Sequence, residues 1–229
     1  MQNPAVTRKH TITACLLIAA LFGASLLMPT RVGGGQTGIE DYREARGLFW
    51  SELYSGGGET LYCGREFTSG RHRKGLNIEH VMPMAWVMNE LDCETRKLCR
   101  NKKRFNQVEA DMHNLYPSRV DLNKERSSFR FGIVKGERRR FGKCDFEVDY
   151  RARVVEPREP VRGEVARAMF YMSNEYGVAI FPKATRLLKQ WHRADPPSED
   201  ERRRNDVIEQ LQGTRNKFID EPGLVGRQF

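Results

Sequence analysis

Gly75-Leu-Asn-Ile-Glu-His-Val-Met-Pro83 is the stretch on which the expected architecture rests. It is short and apolar, which predicts a β-strand over residues 76–81. The strand sets a carboxylate, Glu79, beside an imidazole, His80. Imidazole is the ordinary side chain that is a neutral base near pH 7. Because successive strand residues point to opposite faces, the two side chains converge on one ligand only if the backbone bends there.

Two more polar clusters follow along the chain. They are Glu109-Ala-Asp-Met-His-Asn-Leu-Tyr-Pro117 and Asp121-Leu-Asn-Lys-Glu-Arg-Ser127. Taken singly, each has a structural explanation: Glu109 and His113 would share a helix face as a surface pair, and Asn123 could cap a turn or helix. Together the clusters supply what phosphodiester hydrolysis needs, a base for water and a cation at the phosphate. Glu79 and Asn123 offer the hard oxygen ligands that Mg²⁺ accepts.

The hydrophobic pattern outside these clusters predicts helices and strands in mixed order. The expected helices cover 40–54, 82–92, 102–112, 161–176, 183–193 and 198–211. The expected strands cover 60–67, 76–81 and 144–155. Helical and strand segments do not alternate as in a doubly wound sheet, so we expect a single mixed α+β domain.

The N-terminal segment predicts export. Arg8 and Lys9 precede an uncharged apolar run over residues 11–28, which is the pattern of a secretory signal peptide. An uncleaved membrane anchor is the alternative, because the run is just long enough to span a bilayer. We therefore expect a signal peptide over 1–28 without a well-defined cleavage site, a flexible lead over 29–39, and a folded domain over 40–229.

Four cysteines remain after that segment, and an even number in an exported chain predicts two disulfides with three possible pairings. Cys93 and Cys99 are close enough in sequence to close a small loop, which would leave Cys63 to pair with Cys144. A structural zinc site is the alternative, but the chain has no C-x-x-C pair to favour it.

Composition indicates polyanionic partners. The 229 residues include 39 Lys+Arg against 30 Asp+Glu, a formal net charge of +9, and 39% are hydrophobic. This excludes a disordered chain and a polytopic membrane protein, and favours nucleic acid or an anionic membrane surface as partner. Three basic groups stand out, and we expect phosphate binding by the first and a solvated surface for the third. They are Arg96, Lys97, Arg100, Lys102, Lys103 and Arg104; Arg138, Arg139, Arg140 and Lys143; and Arg202, Arg203 and Arg204.

The ordered clusters resemble the bacterial endonuclease I family, periplasmic or secreted non-specific nucleases with a ββα-metal (His-Me finger) active site. The resemblance runs from about residue 40 to about residue 224. It is carried by the segments 75–83, 109–117, 126–132, 161–172 and 212–222. The family often has a further cysteine near Cys63, where this chain has Arg65, so a smaller disulfide set is expected.

The resemblance implies roles for residues of this chain. His80 would be the general base, Glu79 and Asn123 would hold one divalent metal such as Mg²⁺, and Arg96 would steady the phosphate, with Lys97 and Arg100 as alternatives. Glu109, His113 and Asn114 would orient the metal site or contact phosphate. The implied function is a monomeric endonuclease acting on DNA, with RNA as a second candidate substrate and little sequence preference. Its products would carry 5′ phosphates. The alternative is a secreted protein that binds nucleic acid on the same scaffold without cutting it.

Overall fold

The computed structural model describes Met1 and residues 34–68, 74–136 and 139–229. The predicted signal peptide or anchor over 1–28 and Arg138 of the second basic group lie outside the described residues. Within the described part of the chain, no helix is long and apolar enough to cross a membrane.

The described residues form a mixed α+β fold, as predicted. The helices are Tyr42–Leu48 (α1), Met84–Glu90 (α2), Arg96–Cys99 (α3), Lys103–Ala110 (α4), Val120–Arg126 (α5), Arg162–Tyr176 (α6), Pro182–Ala194 (α7), Glu199–Gln212 (α8), Lys217–Asp220 (α9) and Leu224–Gln228 (α10). The strands are Gly58–Glu59 (β1), Glu66–Phe67 (β2), Leu76–His80 (β3), Leu115–Arg119 (β4), Arg130–Phe131 (β5), Phe146–Asp149 (β6) and Val154–Pro157 (β7). A π-helical turn, Phe49–Leu53, extends α1, and 3₁₀ turns cover Met112–Asn114 and Glu159–Val161.

A ββα unit forms the middle of the fold. Strands β3 and β4 are antiparallel, with Leu76 opposite Arg119 and His80 opposite Leu115, and α5 begins directly after β4. Side chains alternate along β3, so the two-stranded β3–β4 ribbon has two different faces. Ile78 belongs to a core cluster that includes residues of α1 and α4, whereas the side chain of Asn77 is hydrogen-bonded to α5.

The central helix α6 organises the larger core. Almost all of its apolar residues are buried, and it ends at Gly177, whose left-handed backbone (φ 75°) suits glycine. Ser198 caps the N-terminus of helix α8, because its Oγ accepts a hydrogen bond from the Glu201 amide. The Glu201 carboxylate does not complete a capping box, because it accepts two 2.6 Å hydrogen bonds from the buried Arg167 on α6.

Two predicted strands were wrong in part. Residues 144–155 alternate like one strand, but the chain reverses there: Asp149 Oδ1 accepts from the Ala152 amide at 2.8 Å, and Arg153 has a positive φ of 54°. The result is the β6–β7 hairpin. Within 60–67 only Glu66–Phe67 is a strand, because the backbone oxygen of Thr60 accepts from the Gly64 amide and closes a turn.

The flexible lead predicted for residues 29–39 was wrong at its C-terminal end. Gln36 is fully buried, and its Nε2 donates to the backbone oxygens of Ile39 and Gln107. Ile39 belongs to the core cluster beneath β3. The folded part therefore includes residues before position 40.

The interpretation of the third basic group as a solvated surface was wrong for Arg204. Its side chain lies over the Tyr116 ring at 4.0 Å and is only 8% exposed as a residue. Its Nη2 donates to the backbone oxygens of Met112 and Leu115. Because α8 turns Arg204 toward the core face that also holds Ile208, this arginine fixes the start of β4, while Arg202 and Arg203 stay exposed.

The structure contains both disulfides, Cys63–Cys144 and Cys93–Cys99. The first joins the turn after β1 to the start of β6 across a sequence separation of 81, and the second closes a loop with a separation of 6. Loop closure restricts the unfolded chain more when the loop is longer, so the two bonds stabilise the fold unequally.

We expect the paired substitution C63S/C144S to cost more stability than C93S/C99S. The chain-entropy relation gives about 4.5 kcal/mol for the long loop and about 2 kcal/mol for the short one. Denaturant unfolding of both variants measures the difference, and reductant should lower the wild-type melting temperature. Equal melting with and without reductant would contradict a stabilising role for these bonds.

Candidate active site

His80 ends β3 as a partly exposed imidazole held at one nitrogen. Its Nε2 lies 2.9 Å from the backbone oxygen of Glu109, and its ring lies 5.1 Å from that of Tyr42. A carbonyl oxygen only accepts, so Nε2 carries the proton and Nδ1 keeps its lone pair. Burial lowers the pKa of His80 to about 4. The imidazole is therefore a neutral base at physiological pH.

Glu109 connects His80 to two arginines. Its buried carboxylate accepts from Arg96 Nε at 2.5 Å and from Arg100 Nε and Nη2 at 3.0 Å each. Burial would raise the pKa of Glu109, but Arg100 and Arg96 hold it below its ordinary value. The Arg96 guanidinium also lies 5.8 Å from the centre of the Tyr42 ring.

Arg96 differs from the two alternatives left open by the sequence. Arg100 uses two of its nitrogens on Glu109, whereas Arg96 uses Nε alone, so within the described residues both Arg96 Nη groups remain available. The Arg96 side chain is 43% exposed. Lys97 is exposed on the same short helix α3. An open cleft of about 490 Å³ lies on the Arg100 side of Glu109, and Tyr42 also lines it.

Glu79 lies in a buried polar pocket and is 3% exposed. Its Oε1 accepts from the Tyr62 hydroxyl at 2.7 Å and lies 3.2 Å from Nε of the fully buried Arg126. Burial raises the pKa of Glu79 to about 7, although Arg126 and Tyr62 counter part of that rise. The pocket thus holds a carboxylate that is desolvated and only partly neutralised.

Asn123 faces β3 from the middle of α5. Its Nδ2 donates to Asn77 Oδ1 at 3.1 Å and to the Ile78 backbone oxygen at 3.0 Å. Among the described residues, both of its side-chain hydrogen bonds therefore use Nδ2. This orientation leaves the Oδ1 atom to other ligands.

The oxygen ligands and the base lie on opposite faces of the β3–β4 ribbon. Glu79 contacts Arg126 of α5, and Asn123 lies one turn earlier on the same helix. His80 contacts Glu109 and Tyr42 on the other side. Strand pairing is regular through His80, and the backbone bends directly after it at Val81 and Met82, so the two side chains can approach one ligand only at this end of the strand. They share the end of β3.

Asn114 and His113 hold the backbone around the site. The side chain of Asn114 fixes the backbone after β3 through two hydrogen bonds to Met82. Its Oδ1 accepts from the Met82 amide at 2.6 Å, and its Nδ2 donates to the Met82 oxygen at 3.0 Å. His113 is buried against the Tyr171 ring, with Nε2 3.0 Å from the Thr214 oxygen. These contacts place both residues in the framework rather than at an open surface.

The remaining members of the first basic group are divided between surface and framework. Lys102 Nζ lies 2.5 Å from the Leu91 oxygen, and Lys103 is exposed at the start of α4. Arg104 donates to the Gly34 and Glu175 oxygens. It also stacks over Tyr176 at 4.6 Å. Arg104 is thus engaged in tertiary contacts that the sequence did not indicate.

The donor chemistry of Glu79 and Asn123 fits a divalent cation. One carboxylate and one outward-turned amide oxygen are hard ligands of the kind Mg²⁺ accepts, and together they leave room for several waters. Within the described residues there is no cluster of three or more His, Cys, Asp or Glu that could hold a metal without water. A metal site with these two protein oxygens and water as the remaining ligands is consistent with the donor chemistry and with the absence of a larger ligand cluster in the part of the chain that the structure describes.

Sequence reasoning did not assign roles to Tyr62, Arg126 or Asn77. Tyr62 and Arg126 fix one oxygen of Glu79, and Asn77 fixes the amide of Asn123. Asn77 was within reach of sequence analysis, because it shares the α5 side of β3 with Glu79. Tyr62 comes from a distant turn, and no local pattern marks its partner.

The described residues thus form a mixed α+β fold with a ββα unit, in which a histidine ends the first strand and an asparagine lies on the helix. The chain belongs to the endonuclease I family, whose model, described as Endonuclease I, matches residues 43–223.

Individual relatives support that assignment. An extracellular deoxyribonuclease of Aeromonas hydrophila is 40% identical over 150 residues, which are 63% of this chain and 65% of that protein. A periplasmic deoxyribonuclease of the same organism is 39% identical over 193 residues, 74% of this chain and 81% of that protein. An extracellular ribonuclease of Bacillus subtilis is 32% identical over 130 residues, 49% of this chain and 44% of that protein.

The burial of His113 predicts a pH-dependent loss of stability. Burial lowers the pKa of His113 from 6.5 to about 4, so between these values the unfolded chain binds more protons and acid favours unfolding. The contribution amounts to about 3 kcal/mol. We expect the stability difference between wild type and H113Q to shrink by about that amount from pH 7 to pH 4 in denaturant titrations. A difference independent of pH would show that His113 titrates normally.

Proposed function

We propose that this endonuclease hydrolyses phosphodiester bonds of DNA with a divalent metal ion and that His80 is its general base. The hydrogen bond from His80 Nε2 to the Glu109 oxygen carries the proposal. It leaves Nδ1 unprotonated, and the low pKa of His80, about 4, keeps it so at physiological pH. Such a nitrogen can remove a proton from water as the water attacks phosphorus in line.

Arg96 is the residue we assign to the phosphate. Arg96 and His80 both lie against the Tyr42 ring, and guanidinium pairs well with phosphate oxygens. Glu109 holds Arg96 through Nε, which leaves the other two nitrogens for the phosphate. Charge that develops on the phosphate would meet a donor already in position.

Glu79 and Asn123 are the residues we assign to the metal. When bound, a divalent cation supplies Lewis-acid stabilisation of the charge on the phosphate and the leaving 3′ oxygen. Tyr62 and Arg126 keep the Glu79 carboxylate in place, and Asn77 holds the Asn123 amide by its Nδ2 atom. Departure of the 3′ oxygen leaves a 5′ phosphate on the other fragment.

We propose little sequence preference and a wide substrate range. The site offers arginine and lysine for phosphate contacts, and such contacts give affinity without reading bases. Binding should weaken steeply with salt, because it releases counterions from the strand. RNA is a second candidate substrate, favoured by the likeness to a Bacillus ribonuclease. We expect the enzyme to act as a monomer.

The protein is periplasmic or secreted. Two of its relatives are an extracellular and a periplasmic deoxyribonuclease. The two disulfides agree with an oxidising compartment, since such bonds rarely persist in a reducing cytoplasm. A membrane contact enters only if the N-terminal apolar segment stays uncleaved.

The first test is plasmid nicking by the oxidised mature chain in Mg²⁺. We expect nicking and then degradation, abolished by EDTA and lowered at least about a hundredfold in H80A, because the base is removed. Circular dichroism and thermal melting verify that H80A is folded. Binding without cutting under several divalent metals would instead indicate a nucleic-acid-binding protein without catalysis.

A second test compares two neighbouring cations on α3. We expect R96A to lower the cutting rate at least about tenfold, because it removes the donors beside His80, whereas K97A changes the rate less than about twofold. Initial rates on supercoiled plasmid at fixed ionic strength measure both. A larger effect of K97A would transfer the phosphate role from Arg96 to Lys97.

A further inference from the structure

Four aromatic side chains outside the catalytic residues form two ring pairs linked by one hydrogen bond, here called the aromatic row. They are Tyr150, Phe129, Trp86 and Phe181. Tyr150 and Phe129 meet edge to face at 6.2 Å, and Trp86 and Phe181 do so at 5.7 Å. The two pairs are joined at the residue before Phe129, since Trp86 Nε1 donates to the Ser128 oxygen at 3.1 Å. The row therefore runs from the β6–β7 turn to the start of α7.

The row is open to solvent at both ends. Phe181 is 61% exposed and Tyr150 is 44% exposed, while Phe129 and Trp86 between them are half-buried. Core packing accounts for the inner two rings. It does not account for the outer two, whose faces gain little by folding.

Arginines accompany the rings. The Arg140 guanidinium lies 5.2 Å from the centre of the Tyr150 ring, and that of Arg153 lies 5.4 Å from Phe129. Arg153 also reaches Ser128 Oγ at 3.5 Å. The nearby carboxylate of Asp149 is occupied in capping the turn. Positive charges thus accompany the rings at the Tyr150–Phe129 end of the row.

The row reaches the helix that carries Asn123. The Tyr150 hydroxyl donates to the Glu125 carboxylate, and Glu125 lies two residues after Asn123 on α5. Residues two apart on a helix point to different sides, so the row meets α5 at Glu125 on a side other than the one that carries Asn123.

We propose that the aromatic row binds an unpaired DNA strand. Exposed ring faces stack on bases of any sequence, and neighbouring arginines contact the phosphates. Paired bases already stack on each other inside a duplex, so the rings have no comparable partner there. The inference rests on the proposed function and adds an unpaired strand as a preferred substrate.

The test measures binding of the full chain in EDTA, where cutting is stopped. Fluorescence anisotropy compares an oligothymidylate of about 15 nucleotides, an abasic strand of the same length, and a duplex. We expect Y150L and F181L to weaken oligothymidylate binding at least about fivefold each and to change binding of the other two probes less than about twofold. Melting temperatures verify folding.

Matched variants separate stacking from other effects. Y150F keeps the ring but removes the hydroxyl that contacts Glu125, and F181Y keeps the ring at the other end. Both should bind oligothymidylate within about twofold of wild type. Unchanged oligothymidylate binding in Y150L and F181L would overturn the proposal, as would equal losses on all three probes. A wild-type chain that cuts plasmid in Mg²⁺ would then still support the proposed endonuclease mechanism.

Discussion

The buried carboxylate of Asp111 is the constraint on which the rest of the site depends. It accepts hydrogen bonds from the hydroxyls of Tyr171 and Tyr176 on α6, at 2.9 and 2.6 Å, and from Nε2 of Gln212 on α8, at 2.9 Å. A charge removed from water is tolerated only with such complete hydrogen bonding. The short segment that holds Asp111 also carries Glu109, so the two long helices fix the carbonyl that orients His80.

The β3–β4 ribbon then separates two kinds of chemistry. One face presents a neutral base and arginines, and the other presents oxygen ligands in a pocket closed by Tyr62 and Arg126. The imidazole stays unprotonated because burial and the positive charges of Arg96 and Arg100 lower its pKa. The two hydrogen bonds between Asn114 and Met82 fix the end of β3, where both faces of the β3–β4 pair become accessible.

Local patterns in the sequence predicted the elements that local physics determines. Helix α6 and strand β3 follow from hydrophobic spacing, and the start of α8 follows from Ser198 as cap. The turn in 144–155 was missed because alternation continues across it, and only the cap made by Asp149 reverses the chain. Burial of Arg204 was missed because its acceptors are backbone oxygens about ninety residues away. Long-range pairing of this kind leaves no periodic signal.

In the candidate site too, local features were predictable from the sequence and long-range contacts were not. Its polar residues were visible as clusters, but the choice between Arg96 and Arg100 depends on how each meets Glu109. Glu109 serves the site twice, through its backbone oxygen on His80 and its carboxylate on the arginines. A phosphate that displaces Arg96 would therefore also shift Glu109, the residue that orients His80. The proposed base and the arginine proposed for the phosphate are thus linked through the backbone and the side chain of one residue, which makes Glu109 a positioning residue in this proposal.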